Sequence, residues 1–119
     1  MGHSAGAADV GIAAVRAPGA VRGVVFLDGD ATPLAGPSLT LSHGITSMTS
    51  AQFAALKAEA VRKLVIAGAS DPQISRADAA AIAARIGAPG PVYVPDRHLT
   101  MIASPRQVAA VISAFASAP

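Results

Sequence analysis

The sequence predicts an α/β domain of about three parallel strands and about four helices. Three observations predict it. Short apolar, β-branched runs alternate with helix-like runs along the chain, as in units of parallel strands joined by crossover helices. The run Val21–Leu27 (VRGVVFL) is almost continuously apolar, which suits a strand covered on both faces. Capping signals punctuate the segments between these runs.

Ala5 to Arg16 reads as a helix that is apolar almost all round, with Asp9 as its one awkward residue. Such a helix is expected to be buried. Its small residues (Ala5, Gly6, Ala7, Ala8, Gly11) would let it lie close to a sheet, and Pro18-Gly19 stops it. The strand Val21–Leu27 follows, ended by Asp28-Gly29-Asp30. Residues 29–48 are rich in Pro, Gly, Ser and Thr without a period, so they read as a loop or minimal lid. Thr49-Ser50-Ala51-Gln52 fits a capping box opening a helix to about Ala60, with Phe53, Leu56 and Ala60 on its inner face. Leu64–Ala67 is the next strand, turned by Gly68-Ala69-Ser70-Asp71-Pro72. Ser75-Arg76-Ala77-Asp78 opens another helix and Gly87 ends it. Pro91–Val94 is the third strand. Ser104 and Pro105 supply an N-cap and a first-turn proline for the last helix. Val108, Val111, Ile112 and Phe115 then fall at i, i+3, i+4 and i+7, one face of an amphipathic helix.

Composition narrows the function classes. The chain has 119 residues, of which 52% are apolar, 3% aromatic and 13% charged. That length suits one domain, and high hydrophobicity with low charge excludes intrinsic disorder. With no Cys, a disulfide scaffold and a Cys-based metal site are excluded. A pI near 9.7 reflects a surplus of only two charges. No Lys/Arg run is present and aromatics are too few to stack bases, so nucleic acid is not an expected partner. No stretch predicts a membrane span, because the longest uncharged segment, Ala31–Leu56, is broken by Pro, Gly and hydroxyl residues. No signal peptide is visible either, and a cytoplasmic location is the default expectation.

The first residues carry the main chemical signal. Gly2-His3-Ser4-Ala5-Gly6 is a G-x-S-x-G pentapeptide leading directly into a helix. A serine nucleophile projecting from a sharp strand-to-helix turn needs small residues two before and two after it. The N–H of the next residue, Ala5, would then point at a developing oxyanion, aided by the positive end of the helix. Asp71 lies in a turn just after one expected strand, and His98 follows the next. Both are therefore placed at carboxyl ends of strands, where open parallel sheets build their sites.

The order Ser4, Asp71, His98 resembles that of the α/β-hydrolase family. MGHSAGA is similar to its nucleophile elbow, VRGVVFLDG to the strand after the elbow helix, and LVIAGASDPQIS to the strand and turn bearing the acid. YVPDRHLTMIASPRQVAAVISAF is similar to its histidine loop and final helix. The resemblance covers nearly the whole chain except 29–48, and the combination is far more specific than any one motif. It implies that Ser4 is the nucleophile, His98 the general base, Asp71 the acid that orients His98, and Ala5 N–H one oxyanion donor. It implies a small-molecule acyl substrate and no metal or organic cofactor. Within this scheme His43 is an alternative base, Asp28 or Asp30 an alternative acid, and His3 a structural residue of the elbow. Asp96 has no assigned role.

In that family the elbow follows the fifth strand of an eight-stranded sheet. Met1 stands where that strand should end, so the fold expected for 1–119 is the carboxyl-terminal part of one α/β-hydrolase domain, with the N-terminal half of the sheet missing. The strand Val21–Leu27 would lose a neighbour, and the Ser4 turn its incoming strand. The loop carrying the second oxyanion donor would also be missing. Loss of one such donor is worth about 10²–10³ in rate. Three readings follow: a serine hydrolase acting on an ester or related acyl bond, a truncated and inactive fragment of one, or a non-catalytic α/β module that self-associates through an exposed sheet edge.

Overall fold

The computed structural model describes residues 1–29 and 47–119. A parallel sheet of four strands runs in the order β1 (Gly2–His3), β2 (Gly23–Leu27), β3 (Arg62–Gly68), β4 (Pro91–Val94). The helices are α1 (Gly6–Arg16), α2 (Ser50–Ala58), α3 (Arg76–Ile86), α4 (Thr100–Ala103) and α5 (Pro105–Ser117). Two elements go beyond the expected set. One is the two-residue strand β1; the other is the single turn α4, which directly follows His98-Leu99.

Strand β1 changes the expectation for the Ser4 turn. Gly2 pairs with Phe26 and His3 with Leu27, both in parallel register. The end of an incoming strand is therefore present, and it is enough to place the turn. Among the described residues no strand pairs with Gly23, Val24 or Val25 on that side, whereas all of β2 pairs with β3 from Gly23↔Arg62 to Leu27↔Ile66.

Alternation along β2 sorts the core into two layers. Val24 and Phe26 face a cluster with Ala7, Ala8 and Ala14 of α1, Phe53 and Leu56 of α2, and Ile82, Ala83 and Ile86 of α3. Val25 and Leu27 face the other side, with Leu64, Ile66, Val94 and Val108 of α5. Val111, Ile112 and Phe115 pack there half-buried, which is the face read from their spacing. Helix α1 is covered on one face only. Ala7, Ala8, Gly11 and Ala14 are buried, while Asp9 and Ala13 are exposed, which accounts for the carboxylate in an otherwise apolar helix.

Caps fix the helix starts. Thr49 Oγ1 accepts from Gln52 N at 3.2 Å and Gln52 Oε1 accepts from Thr49 N at 2.8 Å. Ser75 and Asp78 make the same reciprocal pair at 3.1 and 3.0 Å, and the Ser75 hydroxyl and amide hold the Asp78 carboxyl below its ordinary range. Met48 precedes one box and Phe53 follows it, both in the same core cluster, which forms a hydrophobic staple. Gly87 ends α3 with φ 76°, a left-handed conformation that glycine adopts without strain.

Two end signals resolve differently. Helix α2 stops at Ala58 because Glu59 turns extended, so Ala60 is exposed outside the helix instead of lining its inner face. The Lys63 ammonium collects the carbonyls of Lys57 and Glu59 at this end; burial lowers its pKa, with Glu59 acting in the opposite direction. Ser104 occupies the N-cap position of α5 but does not cap it. Its hydroxyl donates instead to Asp96 Oδ2 at 2.7 Å.

Leu56 of α2 is fully buried in the cluster shared by α1, α2, α3 and one face of the sheet. Leu56→Ala is expected to lower unfolding free energy by about 2–5 kcal/mol, measured by chemical denaturation. A loss under about 1 kcal/mol would mean that this face of the sheet is not a packed core. Among the described residues, no helix is long and apolar enough to cross a membrane.

Candidate active site

Strand register brings the chemistry to one edge of the sheet. His3 and Leu27 are paired at the carboxyl ends of β1 and β2, and Gly68 and Val94 at those of β3 and β4. Ser4 follows β1 directly, Asp28 follows β2, Asp71 lies three residues beyond β3, and His98 four beyond β4.

Ser4 has φ 51°. A left-handed conformation is uncommon for a residue with a side chain and stores strain of about 1–3 kcal/mol. The surroundings hold it there: Ser4 N donates to Leu27 O at 3.0 Å, and Ser4 O accepts from Ala7 N at 3.1 Å. Gly2 is required by space, because a Cβ there would collide with the Gly6 carbonyl. Gly6 is not: a Cβ at that position meets nothing within 4 Å. The expectation that both glycines are sterically needed therefore holds only for Gly2. Helix α1 starts at this turn without a side-chain cap. Ala5 N–H has no hydrogen-bond partner among the described residues and lies at the positive end of the helix.

The structure brings Ser4, His98 and Asp71 into one hydrogen-bonded row. His98 Nδ1 lies 2.9 Å from Asp71 Oδ2, and His98 Nε2 lies 3.1 Å from Ser4 Oγ. With the Asp71 carboxylate accepting at Nδ1–H, the opposite nitrogen is left to accept the Ser4 hydroxyl proton. Asp71 is itself held firmly. Its side chain is fully buried, and Oδ1 accepts from Gln73 N at 2.7 Å and Ile74 N at 3.1 Å. This is an Asx-type turn leading into the α3 cap.

The His98 loop lies over the end of β3. A Cβ on Gly68 would strike the carbonyls of Arg97 and Asp96, so the absent side chain lets the loop descend to the sheet. Ser70 N donates to Asp96 O at 3.0 Å and Ala69 N to Val94 O at 2.8 Å, which stitches the Asp71 turn to the His98 loop.

The other candidates fall elsewhere. Asp28 is fully buried, with φ 48°, and does not meet His98 Nδ1. Its Oδ1 accepts from Gly68 N at 3.0 Å; its Oδ2 accepts from Thr100 N at 3.1 Å and Thr100 Oγ1 at 2.6 Å. Its carboxylate is thereby committed to backbone and hydroxyl donors. Asp30 and His43 lie outside the described residues. His3 is next to the row: Nε2 donates to His98 O at 3.0 Å. Asp96 accepts from Arg97 N and from the Ser104 hydroxyl. The bonds of His3 and Thr100 were not visible in sequence order, since each reaches a residue more than 70 positions away.

No family model matches the sequence, nor does any curated protein. Solved structures do match. A predicted CIB-like hydrolase from Thermoplasma acidophilum superposes with a TM-score of 0.72 at 17% identity, over 97% of this chain and 48% of its own. The thioesterase domain from the curacin biosynthetic pathway gives a TM-score of 0.70 at 12% identity, over 93% of this chain and 63% of its own. The chain thus spans about half to two thirds of the length of these structures. Its parallel sheet flanked by helices, with its carboxyl edge carrying the Ser4 turn, is a partial α/β-hydrolase fold.

Proposed function

We propose that this chain is the part of a serine hydrolase that carries the nucleophile, base and acid, and that the enzyme cleaves an ester or thioester of a small acyl group. The observation that carries the reading is His98 bridging Ser4 Oγ at 3.1 Å and Asp71 Oδ2 at 2.9 Å. Ser4 Oγ attacks the acyl carbonyl while its proton passes to His98 Nε2, and Asp71 stabilises the imidazolium. The tetrahedral oxyanion takes the Ala5 N–H. Collapse breaks the acyl–leaving group bond, and the His98 Nε2 proton goes to the departing alkoxide or thiolate. Water then attacks the Ser4 ester, giving its proton to His98; Ser4 regains a proton as the carboxylic acid leaves. The thioesterase neighbour supports including thioesters, since a thiolate leaves readily. The lengths of both neighbours support assigning full activity to a longer fold that adds a second oxyanion donor.

Fluorophosphonate labelling of the protein in its source cells, with mass spectrometry of the modified peptide, tests this. The label is expected on Ser4. An intact, folded protein whose Ser4 stays unlabelled would overturn the reading.

A second reading rests on a different observation, the strand edge at Gly23–Val25 that has no partner among the described residues on the β1 side. An open apolar edge is a template for another chain, so a self-associating, non-catalytic module would show as a discrete oligomer in sedimentation together with an unlabelled Ser4.

A further inference from the structure

We propose that His3, half-buried, and Asp28, fully buried, are positioning residues for His98; the proposal rests on the reading of Ser4, His98 and Asp71 given above. The two side chains hold the main chain at the base and just after it. His3 Nε2 donates to the His98 carbonyl at 3.0 Å. Asp28 Oδ2 takes the amide and hydroxyl of Thr100, two residues further on, at 3.1 and 2.6 Å. Its Oδ1 takes Gly68 N at 3.0 Å, and the Gly68 carbonyl in turn receives Asp71 N at 3.2 Å. One carboxylate therefore joins the root of the base loop to the root of the acid turn.

The two side chains are also close to one another. His3 Nε2 lies 3.8 Å from Asp28 Oδ2, and the His3 ring stands 5.3 Å from the His98 ring at 52°. A turn after β2 requires only a residue that tolerates positive φ, which Gly or Asn would supply. A carboxylate with no exposure is costly to bury unless its oxygens are bonded, and here three donors are spent on it. All three belong to the stems that carry Asp71 and His98. The two non-glycine residues with positive φ among those described, Ser4 and Asp28, end neighbouring strands. The turn that presents the hydroxyl and the turn that anchors the base are thus side by side.

The test uses the full-length protein with His3→Ala, His3→Gln and Thr100→Val. Two quantities are read: the maximal inactivation rate and apparent affinity for a fluorophosphonate, and the downfield NMR resonance of the His98 Nδ1 proton. His3→Ala is expected to lower the inactivation rate about 10²-fold, the scale of a misplacement near 1 Å, with apparent affinity unchanged. It should also broaden the Nδ1 proton by exchange with solvent. His3→Gln retains an N–H donor and should restore both readouts. Thr100→Val removes one bond while keeping shape, and should move both in the same direction by less; it carries the test if His3→Ala does not fold. Unchanged readouts in His3→Ala, or equal damage in His3→Gln, would overturn the proposal. If the wild-type protein does not react at all, the hydrolase reading fails. The Nδ1 resonance then decides positioning alone: kept in His3→Ala it refutes it, lost there but kept in His3→Gln it supports it.

Discussion

Ser4→Ala in the full-length protein is expected to reduce hydrolysis of an activated ester by about 10⁴–10⁶-fold, and His98→Ala by a similar factor. In the proposed mechanism the two act as a unit, so the double variant should be little worse than either single one. Asp71→Asn should cost about 10⁴. An amide at that position can donate to Nδ1 and so favours the tautomer that presents a proton, not a lone pair, to Ser4. Asp28→Asn provides the contrast. Its carboxylate meets Gly68 and Thr100 and not the His98 ring, so its effect on turnover should be smaller than that of Asp71→Asn. Hydrolysis rates of the purified variants, with thermal melts to confirm folding, check all five. If Asp28→Asn matches Asp71→Asn in a folded protein, the acid has been assigned to the wrong residue.

The two glycines of the pentapeptide should part company. Gly2→Val is expected to destabilise the protein by about 3 kcal/mol or more and to abolish Ser4 labelling, because the new side chain meets the Gly6 carbonyl, a backbone atom that cannot rotate away. Gly6→Ala should leave the fold intact: its Cβ enters open space, and alanine is the better helix former by up to about 1 kcal/mol. Denaturation midpoints and labelling yields of the two variants decide it. Equal damage from both would show that the turn needs backbone freedom at Gly6 beyond what its open space implies.

This asymmetry shows the limit of reading a motif in order. G-x-S-x-G indicates a cramped turn but treats its glycines alike, since it carries no information on which carbonyl passes near which Cα. Likewise Ser104-Pro105 reads as a cap, and the hydroxyl goes to Asp96 because the loop folds back over it. The capping box at Thr49 and the helix start at Ser75–Asp78 were legible because every atom involved lies within three residues. The strands β2, β3 and β4 were legible because burial on both faces leaves an apolar run, although β3 extends through Arg62 and Lys63, whose long stems belong to the strand while their heads reach helix-end carbonyls.

By itself the sequence determined the alternation of strands and helices, the caps, the two-faced core of β2, and the chain order Ser4, Asp71, His98. These depend on local conformational preference and hydrophobic period, which act over a few residues. Only the tertiary structure decided which acid meets His98, that two residues suffice to pair with β2 and hold Ser4 at positive φ, and that His3 and Asp28 bond the chain at His98 and Thr100. Those outcomes depend on parallel register, which sets four strand ends side by side although they are separated by about 25–40 residues of chain, a distance over which no local signal carries.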